Sequence, residues 1–189
     1  MGLETVVILA AGEGTRMKSS TPKVLHSISG RSLVGHVLHA VDALAAKQVR
    51  VVVGAGREQV EAHLSEIAPH VTTVFQEKRG GTGHATQLAL ADLKASGTIL
   101  VLAGDTPMLT GGSLQQLLDE HHAGGFTASV LTAEHPDPLA MDALFVGMMT
   151  HYCASLKSAM QMKFSAISLK LILVSMHSTQ QSSAPLLAS

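Results

Sequence analysis

The chain has 189 residues, a formal net charge of −1 and a single cysteine, Cys153. This length fits one ordinary domain with a sizeable core. The near-neutral charge favours neither nucleic acid nor an anionic membrane as a partner, and a lone cysteine excludes an internal disulfide framework. No apolar run approaches the roughly 20 residues needed to cross a bilayer, and the N-terminus lacks the basic flank of a signal peptide. We therefore expect a soluble, cytoplasmic protein.

Strands and helices alternate along the chain up to about Pro138. Short runs rich in β-branched residues predict buried strands at 6–9, 49–53, 71–75, 99–102 and 127–131. Helical patterns lie between them at 33–46, 58–67, 84–93 and 114–122, the last with Ser113 as its N-cap and Gly124 just past its end. This alternation predicts an α/β fold with a doubly wound, mostly parallel sheet, whose ligands bind beyond the carboxyl ends of the strands.

The strongest functional signal is the sequence LAAGEGTRM at residues 9–17, with Pro22 and Lys23 close behind. An apolar strand leads there into a loop of small residues that carries two cations, Arg16 and Lys23. Small residues let a backbone approach a ligand closely, and successive N–H groups can hold phosphate oxygens. The loop is neither a Walker A motif nor a dinucleotide fingerprint, since it lacks the residues that complete either pattern. An ordinary strand-to-helix turn would need only the glycines, so the added cations indicate the entrance to a nucleotide site.

Three segments resemble the sugar-nucleotide pyrophosphorylases, and in particular the uridyltransferase half of the bacterial bifunctional N-acetylglucosamine-1-phosphate uridyltransferase/glucosamine-1-phosphate acetyltransferase. They are LAAGEGTRMKSSTPKVLH at residues 9–26, QEKRGGTGHA at 76–85 and AGDTP at 103–107, in order and at the family's spacing. The resemblance implies a nucleotide-diphospho-sugar transferase (Rossmann-like) fold that is incomplete on its C-terminal side. It also implies uridylyl transfer from UTP to N-acetylglucosamine 1-phosphate with Mg²⁺, which supplies precursors of peptidoglycan and lipopolysaccharide. The alternatives are a pyrophosphorylase for another sugar 1-phosphate and a nucleotide-binding fragment without turnover.

The resemblance also implies roles for individual residues. Arg16 and Lys23 would be the catalytic cations, and Asp105 would be the metal ligand. Contacts to UTP or UDP-N-acetylglucosamine are implied at Leu9, Ala10, Ala11, Gly12, Lys23, Gln76, Gly81, Thr82, Ala103, Gly104 and Asp105.

Several of these positions also suit their roles by local chemistry. Gln76 follows a predicted strand and offers both a donor and an acceptor, which suits a uracil edge. Gly81 and Thr82 open a helix, where backbone N–H groups are free to bind a base or an anion, although Thr82 could instead simply cap that helix. Asp105 follows an apolar strand, where a carboxylate is a natural Mg²⁺ ligand, although a turn aspartate that bonds its own backbone would look the same.

The histidines and the cysteine have simpler interpretations. His121 and His122 come at the end of a predicted helix, where the helix dipole favours cations. None of the eleven histidines has the spacing of a zinc site, and His84 needs no catalytic role. Cys153 is isolated, and no pattern indicates a nucleophile.

The last part of the chain has a different character. No Asp or Glu follows Asp142, six of the nine methionines lie from Met141 onward, and no clear period persists. We interpret residues 1–138 as the N-terminal part of a nucleotidyltransferase domain and residues 139–189 as an aberrant tail without a domain. The resemblance implies sugar-contacting elements and a second metal ligand beyond Pro138, and a trimerising acetyltransferase β-helix after them; we expect this chain to lack all of these.

A shift of the reading frame accounts for the change. If each codon takes the last base of one residue and the first two bases of the next, the chain from Ala140 onward can spell GYGRIVRGDDD. The stretch from His151 can then spell ALLRIVEERDA, and residues 168–179 can spell QLEINSGIYAFD. All three are family-like and occur in one frame and in order, which predicts the loss of one nucleotide near the codon for Leu139, either in the gene or as a sequencing error. The alternative is a divergent tail that docks on the sheet.

Overall fold

The predicted alternation of strands and helices is present in the computed structural model, which describes residues 2–12, 14, 17–78, 80–93, 97–131 and 171–176. The strands are β1 Leu3–Ala10, β2 Ser27–Ile28, β3 Arg31–Ser32, β4 Gln48–Val53, β5 Thr72–Phe75, β6 Gly97–Ala103, β7 Ala128–Leu131 and β8 Leu171–Met176. The helices are α1 Leu33–Asp42, α2 Arg57–Ile67, α3 Gly81–Leu90 and α4 Gly111–Ala123, with a short 3₁₀ turn at Lys23–Leu25. Among the helices in these ranges, none is long and apolar enough to span a bilayer.

One six-stranded sheet organises the fold, in the order β5-β4-β1-β6-β8-β7. The first four strands are parallel, and β1 lies between β4 and β6 with Val6 opposite Val49 on one side and Leu100 on the other. β8 is antiparallel to both of its neighbours, and β2 and β3 form a separate hairpin. The predicted mostly parallel sheet is therefore confirmed.

Helices cover both faces of the sheet because successive side chains of β1 point to opposite sides. Val6 and Ile8 belong to the larger apolar cluster, which includes buried residues of α1, α2 and α4. Val7 belongs to a second cluster with Ala85 and Ala89 of α3. The doubly wound arrangement follows from this alternation, since a strand apolar on both faces needs helices on both sides.

Four predicted helix boundaries were wrong by three or four residues. α1 ends at Asp42 rather than at residue 46, and Ala45 beyond it has a left-handed φ of 49°. α3 begins at Gly81, three residues before the predicted start, and ends at Leu90, three residues before the predicted end. α4 begins at Gly111, and its N-cap is Thr110, whose Oγ1 accepts a hydrogen bond of 3.2 Å from the backbone N–H of Ser113. In both α3 and α4 the first turn contains glycines, whose low helix propensity hides the start of the helix in the sequence.

Strand β8 comes from the part of the chain that we interpreted as an aberrant tail. It inserts between β6 and β7, with Leu171 opposite Leu102 of β6 and Leu131 of β7. No strand was predicted at these six residues, because a continuous apolar run can form a central strand without any period of 2. The rest of the segment 139–189 lies outside the described residues, and its interpretation stays a prediction.

A candidate nucleotide site at the ends of β1 and β6

The predicted site residues of the first loop and of the AGDTP segment meet at the carboxyl ends of two neighbouring strands. Leu9 of β1 pairs with Ala103 of β6, and the N–H of Gly104 donates a hydrogen bond of 2.9 Å to the carbonyl oxygen of Leu9. Ala11 and Gly12 continue from β1 at this edge. The parallel register therefore brings the two predicted segments side by side, as the fold class requires.

Lys23 and Asp105 form an ion pair at this edge, although 82 positions separate them in the sequence. The distance between Lys23 Nζ and Asp105 Oδ2 is 2.6 Å, and the side chains are 35% and 30% exposed. Lys23 begins the 3₁₀ turn, and the next residue, Val24, is buried in the core that contains β1. The buried Val24 therefore anchors the segment that carries the ammonium group over the strand ends.

Tight backbone packing holds the loop close to β4. A Cβ atom added at Gly54, just past β4, would lie 2.8 Å from the carbonyl oxygen of Ala11 and 3.0 Å from its Cβ. Gly14 has a left-handed φ of 59°, and an added Cβ there would lie 2.7 Å from Lys23 Cβ. The loop lines a cavity of about 290 Å³ with the β4–α2 turn. The predicted catalytic residue Arg16 lies outside the described residues.

Gln76 lies at the end of β5 and is 6% exposed. Its backbone N–H donates to the carbonyl of Val53 at 2.8 Å, which extends the pairing of β4 and β5 by one residue. Its side-chain Nε2 lies 3.2 Å from the carbonyl oxygen of Gly81 and 3.1 Å from His84 Nδ1. The amide nitrogen is therefore engaged within the protein, which leaves the carbonyl oxygen as the group that this side chain can offer to a base.

The first turn of α3 distinguishes the two interpretations of Thr82. The N-cap of this helix is Gly80, and Thr82 lies inside the helix, where its carbonyl accepts a 2.9 Å hydrogen bond from Thr86 Oγ1. The interpretation of Thr82 as a simple cap was therefore wrong. The backbone N–H groups of Gly81 and Thr82 belong to the turn whose donors have no partner within the helix.

His121 and His122 take structural positions away from this site. His121 is 1% exposed, and its Nδ1 lies 2.9 Å from Ser129 Oγ. Burial, and to a lesser degree the neighbouring His122, lower the pKa of His121, which opposes the cationic form that the helix dipole favours. The His122 Nε2 atom lies 2.9 Å from Thr98 Oγ1.

Asp105 suits a magnesium ion of the kind that is shared with a substrate. Within the described ranges, no group of three or more His, Cys, Asp or Glu side chains is arranged to hold a metal. Magnesium in nucleotide enzymes is usually bound through one or two carboxylates together with substrate phosphates and water. A single, partly exposed carboxylate at the end of a strand fits that requirement.

Comparison with known proteins identifies the family. The family description "MobA-like NTP transferase domain" matches residues 6–166. The chain belongs to this family. Nucleotidyl transfer is therefore its class of chemistry, and the predicted nucleotidyltransferase fold is confirmed.

Individual relatives agree with this assignment. A protein named "Bifunctional protein GlmU" from Streptomyces avermitilis is 58% identical over 134 residues, which are 70% of this chain and 28% of the relative. The chain thus spans about a quarter of that relative's length. HddC from Yersinia pseudotuberculosis has the same fold, with a TM-score of 0.65 and 18% identity over 92% of this chain and 77% of its own. The Rv0371C protein of Mycobacterium tuberculosis, solved in complex with manganese, has a TM-score of 0.55 and 23% identity over 68% of this chain and 63% of its own.

Proposed function

We propose that this chain carries the uridine-nucleotide half of a UDP-N-acetylglucosamine pyrophosphorylase site. The reaction transfers a uridylyl group from UTP to N-acetylglucosamine 1-phosphate and releases pyrophosphate. The Lys23–Asp105 pair at the ends of β1 and β6, with the Gln76 carboxamide at the end of β5, is the observation that carries the proposal. The choice of uridine and of this sugar phosphate rests on the resemblance of residues 9–26, 76–85 and 103–107 to the bacterial uridyltransferases. The 58% identity to a protein named "Bifunctional protein GlmU" agrees with that resemblance.

The chemistry requires positioning and charge neutralisation more than acid–base help. The phosphate of the sugar substrate is already a competent nucleophile, and it attacks the α-phosphorus of UTP in line while pyrophosphate leaves. Lys23 offsets the negative charge of the triphosphate, and Arg16 is proposed to do the same. The backbone from Leu9 to Gly12 lies against the nucleotide. Mg²⁺ held by Asp105 would supply further neutralisation of phosphate oxygens when it is bound.

Uracil recognition is assigned to the edge of the site formed by β5 and α3. The carbonyl oxygen of Gln76 accepts a hydrogen bond from the N3–H group of the base, since its amide nitrogen is engaged elsewhere. The free N–H groups at the start of α3, from Gly81 and Thr82, donate to a carbonyl oxygen of the base.

The segment beyond Pro138 is proposed to result from the loss of one nucleotide. The match to the GlmU relative covers 70% of this chain, whereas the family description matches residues 6–166, so the proposal rests on the reading-frame argument. The family-like motifs for the sugar occur only in the shifted frame. We therefore expect this chain to bind UTP without forming UDP-N-acetylglucosamine.

The test compares this chain with the product of a gene in which one nucleotide is restored before the codon for Ala140. Both proteins are titrated with UTP and Mg²⁺ in a thermal-shift assay, and pyrophosphate release is measured after addition of N-acetylglucosamine 1-phosphate. We expect UTP to stabilise both proteins and only the restored one to turn over. Turnover by the present chain would refute its predicted inactivity, and no UTP binding by either protein would refute the uridine assignment.

Two further measurements separate the remaining alternatives. Competition among sugar 1-phosphates in the restored protein tests the sugar, and a preference for another one would assign a different pyrophosphorylase activity. Nucleotide sequencing of the gene across the codons for residues 138–140 tests the shift directly. Recovery of the missing nucleotide would identify a sequencing error, and its confirmed absence would identify a broken gene.

A further inference from the structure

We propose that His84 is a positioning residue that favours uracil over cytosine, because together with the Gly81 carbonyl oxygen it holds the Gln76 carboxamide in one orientation. This inference rests on the proposed function, because it concerns how Gln76 meets the base. His84 lies in the first turn of α3 and is partly buried. Its Nδ1 atom lies 3.1 Å from Gln76 Nε2.

The orientation of the carboxamide follows from the Gly81 carbonyl. A carbonyl oxygen can only accept a hydrogen bond, so the group 3.2 Å from it must be the NH₂ end of the amide. The same NH₂ group faces His84 Nδ1, which therefore accepts, and the histidine carries its proton on Nε2. Turning the amide around would give up the hydrogen bond to Gly81, place Gln76 Oε1 against the Gly81 oxygen and require the other tautomer of His84.

The fixed orientation has a direct consequence for base choice. No group in the described part of the chain donates a hydrogen bond to Gln76 Oε1, so this oxygen remains for a ligand. Uracil presents a donor, N3–H, between two carbonyl oxygens, whereas cytosine presents an acceptor at N3 beside an amino group. A Gln76 oxygen held in place accepts a hydrogen bond from N3–H of uracil, whereas it faces another acceptor, N3, in cytosine. With cytosine, the buried oxygen would be left without a hydrogen bond, which costs binding free energy.

Gly80 makes the contact possible. A Cβ atom added at Gly80 would lie 2.6 Å from His84 Cβ, 2.6 Å from its Cγ and 2.7 Å from its Nδ1. The imidazole ring therefore folds back over a position where no side chain fits. Gly80 has an ordinary φ of −98°, so an alanine there would disturb the ring rather than the backbone.

The test measures the dissociation constants of UTP and CTP by calorimetry for the full chain and its variants. His84→Leu removes the acceptor, and we expect the preference for UTP to narrow by about fivefold, as the loss of one net hydrogen bond implies. His84→Asn should keep the preference, since its Oδ1 can accept in place of Nδ1. Gly80→Ala should behave like His84→Leu. If His84 had only a structural role, the variants would bind UTP and CTP more weakly by the same factor, and the ratio of the two dissociation constants would not change.

Two outcomes would overturn the proposal, and a third concerns the function on which it rests. A UTP preference that His84→Leu leaves intact would exclude His84 as the determinant. A long-range ¹H–¹⁵N correlation spectrum of the full chain that finds the His84 proton on Nδ1 would exclude the contact without reference to any nucleotide. A parent chain with no preference for UTP would instead refute the uridine assignment, and the tautomer measurement would still decide the Gln76–His84 contact.

Discussion

Replacing Gly54 with alanine tests whether close packing between β4 and the first loop sets the shape of the nucleotide site. The added Cβ would lie 2.8, 3.0 and 3.1 Å from the O, Cβ and Cα atoms of Ala11. Two of these three atoms are backbone atoms, and Ala10 is held in register with Val53, so no rotamer change can relieve the overlap. Overpacking of this kind costs about 1–3 kcal/mol.

The expected effect is measurable in both stability and binding. For a chain of this size each kcal/mol lowers the melting temperature by about 2–4 °C, so the variant should melt about 2–12 °C below the parent chain. Displacement of Ala11 and Gly12 should also weaken the binding of UTP about tenfold, which is comparable to the loss of one hydrogen bond to a charged group. Thermal unfolding and calorimetric titration with UTP measure the two quantities.

A matched substitution controls for the general effect of replacing glycine. At Gly112, in the first turn of α4, an added Cβ would have one neighbour, Thr110 Oγ1, at an ordinary 3.9 Å. Gly112→Ala should therefore keep the melting temperature or raise it, with unchanged UTP affinity. If Gly54→Ala matched the parent chain in both measurements, the claim that Gly54 sets the spacing of the loop would be refuted.

Three further substitutions test other parts of the structure. Lys23→Ala should lower the affinity for UTP at least tenfold, as measured by calorimetry. Its free energy of unfolding should change by less than about 1 kcal/mol, because the ion pair with Asp105 is partly exposed. An affinity for UTP equal to that of the parent chain would contradict the role of Lys23. Burial lowers the pKa of His121 below 6.5, so protons favour the unfolded chain and stability should fall as pH drops through that value. Between about pH 7.5 and about pH 5.5, the urea midpoint of His121→Gln should change less than that of the parent chain. An equal change of the midpoint with pH in both proteins would exclude this histidine as the cause. The hydrogen bond from Arg50 lowers the pKa of Asp92 below 3.8, so the pair stabilises the fold above that pH and this contribution is lost as the pH falls further. When urea midpoints are measured at decreasing pH, the midpoint of Asp92→Asn should therefore fall less than that of the parent chain. Equal decreases in the two proteins would argue against the pair.

Sequence patterns predicted the parallel core well because its strands are buried on both faces. The runs at 49–53 and 99–102 correspond to β4 and β6 within a few residues, and the edge at which β1 and β6 end follows from the fold class. Helix starts were predicted less well because glycines open both α3 and α4. A glycine-rich turn is read from sequence as a break, whereas tertiary packing can extend a helix through it.

The residues of the candidate site stay a prediction, and the contacts between them could not be predicted from the sequence. Nothing in the sequence joins Lys23 to Asp105, because their contact depends on the register of β1 against β6. The contact between His84 and Gln76 was also not predicted. A signal does exist in the spacing, since Gly80 and His84 are four residues apart at the start of a helix, where a residue without a side chain leaves room for a ring.

The position of β8 has a consequence for synthesis of the chain on the ribosome. β6 is complete when Ala103 has been made, but its neighbour on one side is formed by Leu171–Met176. At about 5–20 residues per second, translation of the intervening seventy or so residues takes about 4–15 s. During that interval a mostly apolar strand presents an unpaired row of backbone N–H and C=O groups, an arrangement prone to pair with another chain. The order of the sheet therefore leaves this edge of β6 unpaired until β8 has been made, and an interruption of synthesis between β7 and β8 would leave it exposed.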